Sequence, residues 1–181
     1  MEVITNELPT NSEQWASIDG YKNYEVSWWG RVRIATTGRI MKGSITIGGY
    51  LIVSLSKNKI KKTHNVHQLV AHEWVDNPEK KRCVDHVDGN KVNNHLENLR
   101  WATHAENSRN MKKHTDGSSV YKGVSFRKQS KKWVAQIQIN GKPKHLGFFA
   151  NEKEAGEAYN AAAVEHYKEF AKLNEFDDCD L

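Results

Sequence analysis

The sequence predicts an α+β chain built from small modules, and three observations carry that expectation. Short strand-like runs punctuated by glycine fill residues 13–62. A strand, a tight turn, a second strand and a helix follow between Cys83 and Asn110. A strand pair closed by Asn140-Gly141, then a helix with an alanine stripe, completes the C-terminal third. The chain has 181 residues, 38% of them hydrophobic, with mean hydropathy −0.77, so it is fairly polar and long enough for one large domain or two to three small ones.

Composition also excludes several classes. No apolar run approaches the ~20 residues needed to span a bilayer, so no membrane partner is expected. MEVITNELPTNSEQW lacks the basic-then-apolar pattern of a secretory signal, which makes an intracellular protein the expectation. The two cysteines, Cys83 and Cys179, are far apart and form no CxxC, so neither a disulfide framework nor a zinc site is expected. His64, His67 and His72 have no thiol companions, and His67 is expected to be structural. Charge is unevenly placed. The net charge is +5, yet residues 111–145 hold 9 Lys+Arg against 1 Asp+Glu, and residues 146–181 hold 3 against 9. A basic block of that density is where a phosphate backbone would be met.

In chain order, residues 1–12 read as a polar arm. From Trp15 onward, Tyr24–Ser27, Arg31–Ile34, Arg39–Met41 and Tyr50–Leu55 are β-type runs separated by glycines. Leu51, Val53 and Leu55 alternate with Ile52, Ser54 and Ser56, the pattern of a half-buried strand. The stretch YEVSWWGRVR is similar to the NUMOD-type module that precedes HNH motifs in phage and intron endonucleases. Trp28 and Trp29 replace its expected polar-then-variable pair, so either one of them is exposed as a stacking or partner surface or both pack on the neighbouring module. His64–Asn77 has helical spacing at Val66, Leu69, Val70 and Trp74, and Pro78 ends it. Its expected job is to back the unit that follows.

That unit, residues 63–110, carries the chemistry. Asp88-Gly89-Asn90 signals a tight turn between two strands, and Thr103 with Glu106 forms a capping box at the start of a helix that includes Asn107. Oxygens of Asp and Asn are hard ligands for Mg²⁺ or Mn²⁺. A histidine beside such an Asp can take a proton from water near neutral pH, and an Asn carbonyl across the hairpin can fix its tautomer. These parts suffice for metal-assisted phosphodiester hydrolysis.

DHVDGNKVNNHLENLRWATHAEN resembles the active-site motif of the HNH homing endonucleases, in the branch whose last motif residue is Asn. The resemblance implies a ββα-metal unit in which Asp85 and Asn107 hold one divalent ion, His86 is the general base and Asn98 orients His86. It gives His95 and His104 no catalytic place. It further implies cleavage of double-stranded DNA to 5′-phosphate and 3′-hydroxyl ends, with a monomer or weak dimer nicking one strand at a time. Lys81 and Arg82 precede this motif, Lys91 and Arg100 lie within it, and all four are expected near the scissile phosphate. A DNA-binding regulator whose HNH unit serves only as a scaffold is the alternative reading.

Residues 111–119 have linker composition, and a third module follows at 120–174. Trp133, Ala135, Ile137 and Ile139 form one strand face, with Trp133 expected in the core; Lys144–Phe149 forms the partner strand; Asn151 with Glu154 caps the helix. YKGV, KKWVAQI, LGFF, EKEAGEAYNAAA and KLN resemble the plant APETALA-two/ethylene-response-factor DNA-binding domain. By that resemblance the sheet enters the major groove, with Lys122, Arg127, Lys128, Lys132, Gln136, Gln138, Lys142 and Lys144 as its DNA contacts. His145 stands where the family has Trp, and several Arg positions are Lys, Ser or Gln, so base preference does not transfer. Residues 175–181 form an acidic tail.

Overall fold

The structure, a computed structural model, describes residues 12–111 and 117–176. All but the last residue of the expected arm over 1–12, the middle of the linker and the tail from 177 lie outside the described residues, as does Cys179. The chain divides into two compact units, the first ending at Trp101 and the second beginning at Ala102.

The first unit opens with an antiparallel sheet of β1 (Trp15–Ser17), β2 (Tyr24–Ser27) and β3 (Val32–Ile34), in that order. The expected third run, Arg39–Met41, contributes a single bridge from Ile40 to Arg33. A second antiparallel sheet joins β4 (Ser44–Ile45), β5 (Leu51–Lys57) and β6 (Ile60–Asn65). Strand β6 has no apolar alternation and is largely exposed, so nothing in its residue pattern announces it. It is held by backbone pairing to β5 through an Asn58-Lys59 turn in which both residues have positive φ. As a result His64 and Asn65 complete a strand instead of starting the helix, and α1 spans Val66–Trp74. Pro78 disfavours helical geometry before it, and the chain is already extended at Val75.

Ile18, Val26 and Val32 from the first sheet, Val53 and Leu55 from the second, and Val66, Leu69 and Val70 from α1 share one core with Val84 and Leu99. Neither small sheet has enough apolar residues to close a core alone, so the composition boundary near residue 62 is not a boundary in the packing. Strands β7 (Cys83–His86) and β8 (Leu99–Ala102) pair as a two-stranded sheet. Of the adjacent tryptophans, Trp28 is buried, whereas Trp29 is 43% exposed beneath the Arg31 guanidinium.

The second unit begins with α2 (His104–Asn110), whose N-terminus carries the expected capping box between Thr103 and Glu106. It continues with β9 (Val124–Arg127), β10 (Lys132–Ile139) and β11 (Lys142–Phe149), an antiparallel sheet with β10 in the centre. Asn140 and Gly141 both have positive φ, as a two-residue hairpin demands. Helix α3 (Glu152–Tyr167) is capped by the Asn151 side chain, which accepts the Glu154 N–H at 2.8 Å. Its small residues Ala155, Ala162 and Ala163 let it lie close on Ala135 and Ile137 of the sheet. Among the described residues, no helix is long and apolar enough to cross a membrane.

Candidate active site and nucleic-acid interface

Asp85 and His86 end strand β7 and are only 3% and 5% exposed. His86 Nε2 lies 3.1 Å from Asn94 Oδ1. With the amide oxygen as acceptor, Nε2 carries the hydrogen and the ring lone pair sits on Nδ1. The ring of His67 packs edge-on against His86 with centroids 5.0 Å apart, and Tyr50 stacks 5.0 Å from His67. Burial, reinforced by the nearby His86, lowers the His67 pKa to about 4. His67 is therefore neutral at neutral pH, and its role is packing.

The amide expected to orient His86 does something else. Asn98 Nδ2 donates to Asp88 Oδ1 at 2.9 Å and to Asn93 O at 2.8 Å, while its Oδ1 accepts the Asp88 N–H at 3.0 Å. All three bonds stay inside the loop between β7 and β8. Asp88 also closes the turn by accepting the Asn90 N–H at 2.7 Å, and Gly89 supplies the positive φ. Partial burial raises the Asp88 pKa, but hydrogen bonds from Asn93, Asn90 and Asn98 outweigh it and the net shift is downward. Asn98 thus braces the loop, and Asn94, a residue the sequence does not single out, holds the ring. Five Asp and Asn residues crowd this loop, and spacing alone does not say which of them meets His86.

The Asn94 position is set from the N-terminal sheet. The backbone carbonyl of Trp28 accepts the Leu96 N–H at 2.7 Å, which lays the β2–β3 turn on the loop. Gly30 in that turn has φ +82°, and a Cβ there would lie 2.6 Å from the Asn94 Cβ. Only glycine satisfies both the backbone angle and the contact.

Arg100 was expected to face DNA. Its Nε and Nη2 instead lie 2.9 and 2.7 Å from Asp85 Oδ2, a largely buried ion pair. Lys91 reaches back to Gly48 O at 2.9 Å and covers the Tyr50 ring. Lys81 is largely buried and pairs with Glu79, whereas Arg82 is exposed. Asn107 lies on α2 in the second unit and is half-buried.

In the second unit, strand register sorts the basic and amide residues by face. Lys132 pairs with Arg127, Gln136 with His145 and Gln138 with Pro143; all six are exposed on the face away from α3. Lys128 is exposed in the turn after β9. A bulge between Ala135 and Gln136 changes the parity of β11. On the hairpin side of that bulge, the Asn140-Gly141 turn sets Lys142 opposite Ile139 and Lys144 opposite buried Ile137, so both stand on the helix side, where Lys144 Nζ lies 3.4 Å from His166 Nε2. These two lysines do not share the face that carries Arg127 and Gln136. His145 and Phe148 do, with rings 4.8 Å apart, and Arg127 covers Phe148. Lys122 also turns inward, its Nζ donating to Arg109 O and Met111 O at 2.6 and 2.7 Å. Trp133 packs beside Val124 and Ala135, as its place on the apolar face implies.

Comparison with known proteins gives the relatives of this chain. Residues 13–56 match the NUMOD4 motif and residues 65–109 match the HNH endonuclease family. The uncharacterized HNH endonuclease L245 of Acanthamoeba polyphaga mimivirus is 37% identical over 143 residues, 79% of this chain. The chain spans 39% of the length of that relative and 27% of a second mimivirus relative. The AP2-like ethylene-responsive transcription factor AIL7 of Arabidopsis thaliana is 46% identical over 50 residues, 26% of this chain and 10% of that protein. The solved structure of the HNH homing endonuclease I-HmuI, a study of its DNA binding and cleavage, superposes with TM-score 0.51 at 29% identity, covering 86% of this chain and 91% of that one. The "SPbeta prophage-derived putative HNH homing endonuclease YosQ" of Bacillus subtilis is 32% identical over 146 residues, 75% of this chain and 79% of its own length. With likeness of that extent over most of a relative's length, the chain belongs to the HNH homing endonuclease family.

Proposed function

We propose that the chain is a DNA endonuclease that hydrolyses a phosphodiester of duplex DNA with one divalent ion, Mg²⁺ or Mn²⁺. The observation that carries this is the buried Asp85–His86 pair with the His86 ring tied to Asn94. The donors suit such an ion. Asp85 offers a buried carboxylate and Asn107 an amide oxygen, both hard. Asp85 and Asn107 would hold the ion, which when bound stabilises charge on the phosphate and on the departing 3′ oxygen.

The rest is done by the chain. His86 Nδ1 takes a proton from a water as that water attacks phosphorus, and the bond to the 3′ oxygen breaks, leaving 5′-phosphate and 3′-hydroxyl ends. Asn94 keeps the Nε2–H tautomer in place. His67, neutral at the working pH, adds no second positive charge beside the ring that must accept one. Arg100 fixes the Asp85 carboxylate, and Asn98 acts at one remove by shaping the loop that carries Asn94. The outward sheet face of Arg127, Lys132, Gln136 and Gln138, with Lys128, grips the duplex. A chain with one such site nicks one strand per encounter, and acting on DNA it works inside the host cell.

Incubation of a supercoiled plasmid with the protein separates this from its rival. Open circles should form with Mg²⁺ or Mn²⁺ and not with EDTA, and His86→Ala should slow nicking by roughly 10²–10⁴-fold with DNA affinity kept. A His86→Ala protein that nicks at full speed would end the assignment of the base. The rival reading is a DNA-binding regulator with a silent nuclease scaffold. It draws on the Arg100 guanidinium bonded to the carboxylate that would hold the ion. Absence of nicking with either metal, in a protein that still binds the plasmid, would favour it.

A further inference from the structure

Lys122 belongs by sequence to the basic block, yet its side chain is committed to the end of a helix. Its Nζ donates to Arg109 O and Met111 O, carbonyls at the C-terminal end of α2 that helix geometry leaves without partners. The root of the side chain is equally fixed. Lys122 N–H donates to Asn174 Oδ1 at 2.6 Å, and Asn174 Nδ2 returns a bond to Lys122 O at 3.1 Å. Asn174 is in turn tied to Asn160 of α3 by two bonds of 2.8 Å. Next to Lys122, Gly123 has φ +75°, and a Cβ there would run into the Tyr159 ring at 2.0 Å.

A second fastening lies beside the first. The Arg109 guanidinium covers the ring of Tyr167 at 4.9 Å, and the Tyr167 hydroxyl donates to Gln138 O on β10. Gln138 belongs to the strand whose outward face is proposed to meet DNA. Helix α2 has 7 residues, too few to hold its shape without help. Its N-terminus is closed by the Thr103–Glu106 box and its C-terminus by Lys122, with Asn107 between them.

We infer that Lys122 is a positioning residue: it fastens the α2 end to the sheet-and-helix module and thereby fixes the bearing of Asn107, so that the module gripping DNA also sets one ligand of the ion. This rests on the reading of Asn107 given above. A lysine that merely met phosphate would stand in solvent. Lys122 is half-buried, and burial, with Lys172 nearby, lowers its pKa to about 8.

The test uses the full chain with Lys122→Met, Lys122→Arg and Arg109→Ala, the last removing the second fastening independently. Amide hydrogen exchange over 104–110, Mn²⁺ binding by calorimetry, DNA affinity by gel shift and plasmid nicking against Mn²⁺ concentration are measured together. Lys122→Met should speed exchange in α2 and raise the Mn²⁺ midpoint roughly 10-fold. DNA affinity should stay within about twofold, since no phosphate contact is lost. Nicking should recover at high Mn²⁺, and Lys122→Arg should restore most of the metal affinity. Arg109→Ala should move exchange and metal midpoint in the same direction, which covers the case of a Lys122→Met chain that fails to fold. Weakened DNA binding with a flattened salt dependence and an unchanged Mn²⁺ midpoint would overturn the inference and return Lys122 to the DNA. Faster exchange with an unchanged midpoint would reduce it to helix stability alone. An Asn107→Ala protein with normal Mn²⁺ binding would refute the ligand reading itself, whereas the exchange result would still report whether Lys122 holds α2.

Discussion

The loop between β7 and β8 and the sheet of the second unit both present rows of polar side chains, and they use them in opposite ways. In the loop, Asp88, Asn93, Asn94 and Asn98 turn toward one another or toward His86, and each is defined by the partner it bonds. On the sheet, Arg127, Lys132, Gln136 and Gln138 turn outward, and each is defined by the face on which strand parity puts it. A loop residue therefore acts through a network, where one loss spreads. A sheet residue acts nearly alone, where losses should add.

Asn98→Ala is the severest way to probe that contrast. It removes three hydrogen bonds at once from a buried side chain, at a cost of roughly 2–4 kcal/mol. Urea unfolding should show that loss together with a steep fall in nicking; a fall in nicking with unchanged stability would mean Asn98 acts on the chemistry directly. Asn94→Ala should leave more of the fold intact but release the His86 ring, lowering kcat roughly 10- to 100-fold with DNA affinity retained. If kcat is unchanged, some other group orients His86.

On the sheet, Arg127→Ala should lower the slope of log affinity against log salt by about 1, and Lys132→Ala by a similar and additive amount. Lys144→Ala should leave that slope where it is, because Lys144 stands beside Ile137 on the helix side. Equal effects at Lys144 and Lys132 would contradict the bulged register. The smallest expected effect concerns His67. An unfolded histidine titrates near 6.5 and folded His67 at about 4, so between those values the unfolded chain holds more protons. Its contribution to stability is complete above 6.5 and is lost progressively as pH falls toward 4. A His67→Gln protein should show a shallower acid limb in thermal melts over that window.

Much of this was legible in the sequence wherever a local rule decided the outcome. The Asp88-Gly89 turn, the Thr103–Glu106 box, the Asn140-Gly141 hairpin and the Asn151 cap each depend on residues a few positions apart, and each is in place. The pairing of Asp85 with His86 at the end of a strand was legible for the same reason. What escaped depends on contacts distant in sequence. Strand β6 has no apolar alternation and exists because β5 offers it a backbone edge. Asn94 meets His86 where a turn from far earlier in the chain packs against it, and Lys144 takes the helix side because its register sets it opposite Ile137. Arg100 and Lys122 look like surface cations in a string of letters, whereas folding supplies each with an oxygen to bond.

The contact of Gly30 with Asn94 bears on how such enzymes recombine. A chimera joined near residue 62, with a foreign leader sheet and the whole catalytic motif retained, would keep every residue by which the motif is recognised and still lose the support beneath its imidazole. Grafts that carry a glycine-bearing turn of the same shape should stay active; those that do not should be inert despite a perfect motif.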